Sequence, residues 1–380
     1  MNRDKLGGLI NHFVFFLYQI LFRLLARVFP SRPVELKGRD FSSILVFSAA
    51  GIGDALTDSV AIRALKETFP GARLTVVTHR RRSVIARHNP FVDDVALYHK
   101  SFPRFVSLAR ELRSRRYDLV IMLRGNDPDL WPLAWLANRH AVVSCPIMTR
   151  FKFLISHPVP IPSWDRTHGV EQTLEIARYA GADTRDRRLV YRVREEERAS
   201  LRQKMIPWRI KESPLVIFQA GGGWRSEWRD WPVAHYAVLG KRLLDEYDVQ
   251  LVLLGGVDHR AKAGAIRAAL VGEAVNLAGE LSLAESAALL SLAVILVSTD
   301  TGIMHLGFAV GVDTLALIHC NNPASRVGPH GYGDQHQVVQ LQPPPGEPIS
   351  KNVDMGRVTP EQAWPKLEQL CERNNLQKKH

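Results

Sequence analysis

The segment from Val294 to Gly311 constrains this chain most. It reads Val-Ile-Leu-Val-Ser-Thr-Asp-Thr-Gly-Ile-Met-His-Leu-Gly-Phe-Ala-Val-Gly. The apolar run 294–297 predicts a buried strand, the polar run 298–302 a turn, and the small apolar residues of 303–310 a helix. A strand that feeds straight into a helix is the building unit of α/β folds. The helix start beyond the strand's carboxyl end is where such folds hold anions, because free backbone N–H groups and the helix dipole point there. Asp300 stands at that mouth, with Thr301, Gly302 and His305 on the first turn. Taken alone, Asp300 reads equally well as a plain N-cap of the helix.

The same alternation recurs along the chain. Strands are predicted at 44–48, 74–78, 92–97, 119–123 and 142–143, with helices at 55–69, 102–115 and 168–180. A charged helix and a connection within 195–213 end at Pro214. A second series follows: strands at 215–218, 250–254, 294–297 and 314–318, and helices at 232–247, 258–270, 282–292 and 360–373. Alternation of this kind predicts doubly wound, mostly parallel sheets, here in two similar domains. The expected division is 34–205 for the first domain and 206–358 for the second. Residues 359–380 then form a C-terminal helix that could pack back on the first half. Ligand is expected between the domains, at the carboxyl ends of both sheets.

Ahead of these, residues 6–29 carry apolar side chains at helical spacing, ended by Pro30, with His12, Gln19, Arg23 and Arg27 on one narrow stripe. Within 1–33 this predicts an amphipathic helix. Three readings fit it: a helix lying in a membrane interface, a helix packed on the protein itself, and a true span or signal anchor. The balance of 50 basic to 38 acidic residues, +12 overall, points to an anionic partner. Nucleic acid ranks below a phosphorylated substrate or an acidic membrane, since no zinc-finger or ribonucleoprotein-type motif is present. Three cysteines without a paired spacing argue against a disulfide scaffold or a zinc site.

Four further places could carry chemistry. The turn Gly51-Ile52-Gly53-Asp54 follows a strand. Its glycines permit close approach of a ligand to backbone, and Asp54 is either an N-cap or a general base for an incoming hydroxyl. It lacks the third glycine of a dinucleotide fingerprint. The loop after the strand at 215–218 holds Gly221-Gly222-Gly223, then Trp224 through Pro232. In it Arg225 or Arg229 could fork onto a diphosphate, and the alternative is a solvated charged loop. Arg80-Arg81-Arg82 follows the second strand and is either a solvated run or a contact for an acidic acceptor. The loop 321–329 is either a ligand cover or an ordinary connection. His168 and His305 each have a bland reading as packed, hydrogen-bonded histidines. No zincin or EF-hand pattern occurs, so neither a tight metal site nor a bound cofactor is expected.

Taken together, these pieces resemble glycosyltransferase family 9, the ADP-heptose:lipopolysaccharide heptosyltransferases. The resemblance runs from about Ser43 to Gly331. It rests on Gly51-Ile52-Gly53-Asp54-Ala55-Leu56, Phe91-Val92-Asp93-Asp94-Val95, the basic residue before Trp231-Pro232, the stretch Asn276 to Glu285, and Ser298 to His305. It implies a GT-B fold, two Rossmann-like domains with a cleft between them, and inverting, metal-independent transfer from a nucleotide-diphosphate sugar. By the same resemblance Asp54 is the base, and Arg229, Asp300, Thr301, Gly302 and His305 would hold the donor. From the residues themselves Gly222 is expected beside the donor, and Gly51, Gly53, Arg80 and Arg81 on the acceptor side. The helical extension before Pro33 and the Gln219 and Gly221–Gly223 start of the donor loop depart from the family pattern. The expected partners are a nucleotide-sugar donor, an anionic glycolipid or lipopolysaccharide acceptor and the inner-membrane surface. The expected location is the cytoplasm, at that membrane. The rival readings are a nucleotide-sugar epimerase on the same architecture and a non-catalytic binder of nucleotide sugar or glycan.

Overall fold

A computed structural model describes residues 3–125, 127–208, 213–222 and 227–379, with the side chains of the first helix described from Phe16 onward. The chain forms two compact units, Met1–Asp165 with Val170–Arg185, and Arg166–Gly169 with Asp186–His380.

The first unit holds the strands β1 Ser43–Ala49, β2 Arg73–His79, β3 Asp94–Tyr98, β4 Leu119–Gly125, β5 Val142–Ser144 and β6 His157–Pro158. Its helices are α1 Arg3–Val28, α2 Ile52–Thr68, α3 Ser83–Arg87, α4 Phe102–Ser114, α5 Leu130–Asn138 and α6 Gly169–Tyr179. All strand pairs are parallel, in the order β3-β2-β1-β4-β5-β6. β1 and β4 are buried along almost their whole length, as parallel strands covered on both faces must be. On one face, Leu45, Phe47 and Ala49 of β1 and Val120 and Met122 of β4 pack with Leu108 and Leu112 of α4 and Trp131 and Trp135 of α5.

The second unit repeats the plan. Its strands are β7 Leu215–Gln219, β8 Gln250–Leu254, β9 Val275–Asn276, β10 Ile295–Thr299, β11 Asp313–Ile318 and β12 Gln337–Gln340. Its helices are α7 Glu195–Met205, α8 Val233–Glu246, α9 Arg260–Ala269, α10 Leu283–Leu290, α11 Gly302–Val310, α12 Ala324–Val327 and α13 Pro360–Arg373. The order is β12-β11-β10-β7-β8-β9, again parallel. Counted from its own first strand, each sheet runs 3-2-1-4-5-6, the Rossmann order. Each therefore has its topological switch point between its first and fourth strands. At the second switch point α11 packs hard on β10: a Cβ on Gly307 would stand 2.5 Å from Leu296 Cδ2.

Two expectations about domain limits change. The C-terminal helix does not join the first unit. Ala363, Trp364, Leu367, Leu370 and Cys371 of α13 are buried in the core of the second, beside Tyr247. Trp231 reinforces that seat by donating from Nε1 to the carbonyl of Val358 at 2.6 Å. The unit boundary also precedes the Met205–Ile206 division. α7 belongs to the second unit because the buried Glu285 of α10 ties it down, accepting from Ser200 at 2.6 Å and Lys204 at 2.9 Å.

α1 presents two apolar faces. Tyr18, Phe22, Leu25 and Ala26 pack on the first unit's core, with the Phe22 ring edge-on to Trp135. On the other side Phe16, Leu17, Ile20, Leu21, Leu24 and Val28 are each 42% to 68% exposed. Gln19, Arg23 and Arg27 lie between the two faces on one flank, as their helical spacing requires. Among the described residues no helix is long and apolar enough to cross a membrane.

Candidate active site

In each unit the chemistry-bearing residues predicted from sequence gather at the switch point. In the first, β1 ends at Ala49 and Gly51 caps α2 with extended backbone. Asp54 lies on the first turn of α2. Its Oδ2 accepts from the Gly51 backbone N–H at 3.0 Å, and its Oδ1 lies 3.3 Å from Arg124 Nη1 at the end of β4. Asp54 is thus not the N-cap itself but the third helical residue reaching back to it, with one oxygen anchored and the side chain 42% exposed. Gly53 sits in the same turn, its carbonyl accepting from Thr57 Oγ1 at 2.6 Å. Arg80 and Arg81 form a short 3₁₀ turn directly after β2, both exposed at the same end of the sheet.

Two residues here had no place in the sequence reading. Arg124 reaches back through Nε to Asp58 Oδ1 at 3.0 Å, and Ser48 Oγ donates to Asp58 Oδ2 at 2.6 Å. Asp58 is fully buried. Burial pushes its carboxyl up to about 6, against the opposing pull of Arg124 and the Ser48 hydrogen bond. A second unforeseen cluster lies at the ends of β2, β3 and β4. Asp127 pairs with His79 at 3.4 Å and with Lys100, and Tyr98 donates to Asp129 at 2.6 Å. Burial is the largest influence raising the Tyr98 hydroxyl and the Asp129 carboxyl above their ordinary ranges.

In the second unit the turn after β10 resolves the ambiguity of Asp300. Thr301 is the N-cap of α11, its Oγ1 accepting from Met304 N at 3.4 Å. Gly302 is the first residue of that helix. Asp300 is free for other partners and is almost wholly buried. Arg229 Nη1 lies 2.9 Å from its carbonyl oxygen and 3.2 Å from its Oδ2. Asn322 Nδ2 donates to Oδ2 at 2.7 Å, and His305 Nε2 is 3.7 Å from Oδ1. Burial alone would raise this carboxyl. The hydrogen bond to His305, the Arg229 and His305 charges and Asn322 outweigh it and hold the group below the ordinary range.

The two described glycines after β7, Gly221 and Gly222, are packed, not loose. Gly222 N donates to Asp230, which Lys262 also meets at 3.2 Å. The His259 ring fills the space over Gly221, where an added Cβ would lie 2.0 Å from Cδ2. The Arg229 guanidinium stacks 4.4 Å from the centre of the Trp228 ring. Arg225, the alternative phosphate ligand, lies outside the described residues. Gln219 Oε1, Thr299 Oγ1 and Arg229 Nε are buried without a hydrogen-bond partner among the described residues, all beside this switch point. Buried polar atoms are rarely left so.

The remaining candidates are quieter. In the loop after β11, Asn322 ties to Asp300, and Ala324 N donates to Gln340 at 2.8 Å. His168 lies 3.1 Å from the Gly328 carbonyl and stacks on His330 at 4.4 Å, the packed histidine of the bland reading. Among the described residues no group of three or more His, Cys, Asp or Glu side chains is placed to hold a metal ion.

Comparison with known proteins meets this geometry. Lipopolysaccharide heptosyltransferase 2 of Escherichia coli (strain K12) is 34% identical over 116 residues, 30% of this chain and 33% of that one, so the match spans about a third of that relative's length. Lipopolysaccharide heptosyltransferase 1 of Pseudomonas aeruginosa is 26% identical over 316 residues, 77% of this chain and 82% of the relative. The solved glycosyl transferase family 9 structure from Veillonella parvula superposes with a TM-score of 0.73 at 19% identity, covering 90% of this chain and 100% of its own. The E. coli ADP-heptose lps heptosyltransferase II structure gives 0.73 at 22% identity, covering 88% and 99%. At such identities the structural likeness establishes the fold, which is GT-B. The model of glycosyltransferase family 9 (heptosyltransferase) matches residues 105–357. With two Rossmann-ordered sheets carrying Asp54 and the Arg229–Asp300 pair at their switch points, the chain belongs to glycosyltransferase family 9.

Proposed function

We propose that this chain is an inverting, metal-independent glycosyltransferase that moves a heptose from ADP-heptose to a hydroxyl of a lipopolysaccharide acceptor. The observation that carries the reading is the second switch point. There a buried carboxylate, a guanidinium and three polar atoms without a hydrogen-bond partner among the described residues border the start of a helix. That combination suits a sugar diphosphate, since the helix start and Arg229 both favour its negative charge. Asp300 and His305 then face the sugar and diphosphate, with Thr301, Gly302 and Gly222 supplying backbone close to them.

The first unit supplies the acceptor chemistry. Asp54 takes the proton of the acceptor hydroxyl as its oxygen bonds to the anomeric carbon. The bond from that carbon to the diphosphate oxygen breaks with its electron pair, ADP leaves, and the anomeric configuration inverts. Charge growing on the leaving diphosphate is met by Arg229 and the start of α11, preorganised donors that take the place of a divalent cation. Arg80 and Arg81, exposed at the same sheet end as Asp54, suit an anionic acceptor.

The acceptor is lipid-linked, and the outer face of α1 is the part of the chain that meets its membrane. That exposed row of Phe, Leu, Ile and Val, flanked by Arg23 and Arg27 on a chain of +12, has the character of an interfacial helix on an anionic bilayer. The enzyme then works at the cytoplasmic face of the inner membrane.

The test is incubation of the purified chain with ADP-heptose and lipopolysaccharide from a heptose-deficient strain, with and without EDTA. Heptose should appear on the acceptor, at the same rate in both. Turnover of donor without acceptor would point to an epimerase. Binding of ADP-heptose with no turnover would leave a non-catalytic binder. Loss of transfer in EDTA would remove the metal-independent step.

A further inference from the structure

The carboxyl end of β4 carries an irregularity that bears on the base. Pairing of β1 with β4 is regular through Phe47 opposite Met122, then shifts so that Ser48 faces Arg124 and Leu123 is left over. Side chains alternate along a strand. Phe47 and Ala49 point into the apolar core under α4 and α5, and so does Met122. Without the extra residue Leu123 would stand beside Ser48, and Arg124 would stand beside Ala49, on that apolar face. The bulge turns Arg124 to the α2 face instead. Re-aiming a side chain beside a functional site is a recurrent use of a β-bulge.

On the α2 face Arg124 meets two carboxylates one helical turn apart. Asp54 and Asp58 are at i and i+4, so they line the same side of α2. Arg124 gives Nη1 to the first at 3.3 Å and Nε to the second at 3.0 Å. Asp58 is in turn fixed by Ser48 Oγ at 2.6 Å. The groups facing Asp58 are therefore Ser48 from β1, Arg124 from β4 and Asp54 from its own helix.

We infer that Arg124 and Asp58 are positioning residues for the Asp54 base: the bulge-borne guanidinium, anchored on the buried Asp58, aims Asp54 and leaves the cluster one net negative charge with which to take a proton. Two carboxylates and one guanidinium sum to −1. A lone Asp54–Arg124 pair would be neutral, and its carboxylate a poorer acceptor of the incoming proton. This rests on the assignment of Asp54 as the base of the transferase proposed above.

The test uses the full chain, ADP-heptose and heptose-deficient lipopolysaccharide, with Asp58→Asn and Arg124→Lys beside wild type. Asp58→Asn should lower kcat about tenfold, a part of the roughly 10²- to 10⁴-fold that a positioned base contributes, and leave KM for ADP-heptose unchanged. The wild-type kcat should fall as pH drops through about 6, where Asp58 takes up its proton, and this limb should be missing in Asp58→Asn. Arg124→Lys keeps the charge but has a single head and cannot bridge both carboxylates, so its kcat should fall similarly at an unchanged melting temperature. It also serves if Asp58→Asn does not fold. Wild-type kcat and pH profile in the folded variants overturn the inference. If the wild-type chain transfers no heptose, the functional reading fails. The positioning claim is then read from the ¹³C carboxyl resonances of labelled aspartates, with Asp54 identified by its loss in Asp54→Asn. The Asp54 signal should follow the titration of Asp58 in wild type and cease to do so in Arg124→Gln. An Asp54 signal indifferent to both overturns it.

Discussion

Arg229 holds Asp300 by backbone and side chain together, its Nη1 lying 2.9 Å from the carbonyl oxygen and 3.2 Å from Oδ2. One guanidinium thereby fixes both the turn after β10 and the carboxylate that the turn presents. Arg229→Ala removes the cation proposed to meet the donor diphosphate and leaves Asp300 buried with His305 and Asn322 alone. Transfer should fall about a hundredfold or more, comparable to the loss of one preorganised donor at a developing charge. Arg229→Lys should recover only part, since an ammonium cannot fork. Asp300→Asn should cost about 2–3 kcal/mol in urea denaturation at neutral pH, the scale of a buried charge-assisted hydrogen bond. The sign follows from the depressed carboxyl. Its contribution is complete above the unfolded value of about 3.8 and is lost as pH falls through the lower folded value. An Asp300→Asn chain as stable as wild type at pH 7 would show that these contacts contribute nothing.

Asp54 anchors one oxygen on the Gly51 N–H and leaves its side chain substantially exposed. Asp54→Asn preserves an acceptor for that N–H, and the fold should hold within about 0.5 kcal/mol, as for most exposed substitutions. It removes the proton acceptor, and kcat should fall about 10²- to 10⁴-fold. ADP-heptose binding, followed by calorimetry, should be unchanged because the donor residues lie in the other unit. Full transfer by Asp54→Asn would take the base away from this residue.

The strands flanking each switch point could be read from sequence because parallel strands covered on both faces leave continuous apolar runs, as in Leu45-Val46-Phe47 and Ile295-Leu296-Val297. The strands that were missed are two to four residues long and lie at sheet edges. His157-Pro158, Val275-Asn276 and Gln337–Gln340 have little burial to impose a pattern. The turn residues Asp54 and Asp300 were visible, but their roles were not. Any Asp near a helix start fits a cap, and only the seating of Thr301 as the true cap separates the two uses of Asp300. Arg124 and Asp58 were missed for a different reason. They meet across 66 residues of sequence, through a bulge that no local pattern announces. The single clue was a charged residue closing the otherwise apolar Leu119–Leu123.

The two faces of α1 should respond differently to substitution. Leu17→Glu, Leu21→Glu and Leu24→Glu combined alter only the exposed row, so stability should stay within about 0.5 kcal/mol per site. Sedimentation with phosphatidylglycerol vesicles should be lost. Phe22→Ala instead empties a packed position against Trp135 and should cost about 3 kcal/mol. At a temperature where that chain remains folded it should still bind the vesicles. If the triple variant binds vesicles as wild type does, the outer face of α1 is not the membrane contact.

Asp58 should make activity and stability move in opposite directions. Its folded carboxyl titrates at about 6, above the unfolded value of 3.8. Between those values the native chain holds a proton that the unfolded chain has released. Wild-type stability from this group is therefore greatest below about pH 4 and falls as pH rises toward 6, then levels off. The gap is worth about 3 kcal/mol. Asparagine cannot ionise, so the stability of Asp58→Asn relative to wild type should rise by up to that amount between pH 4 and 6.5, as followed by urea midpoints. A buried charge retained at such a cost is characteristic of sites where function outweighs stability. The variant should thus be relatively most stable where its transfer defect is greatest. A stability difference flat across that range would mean that the folded and unfolded carboxyls titrate alike, so that Asp58 is ionised throughout it and the fall of kcat near pH 6 belongs to another group.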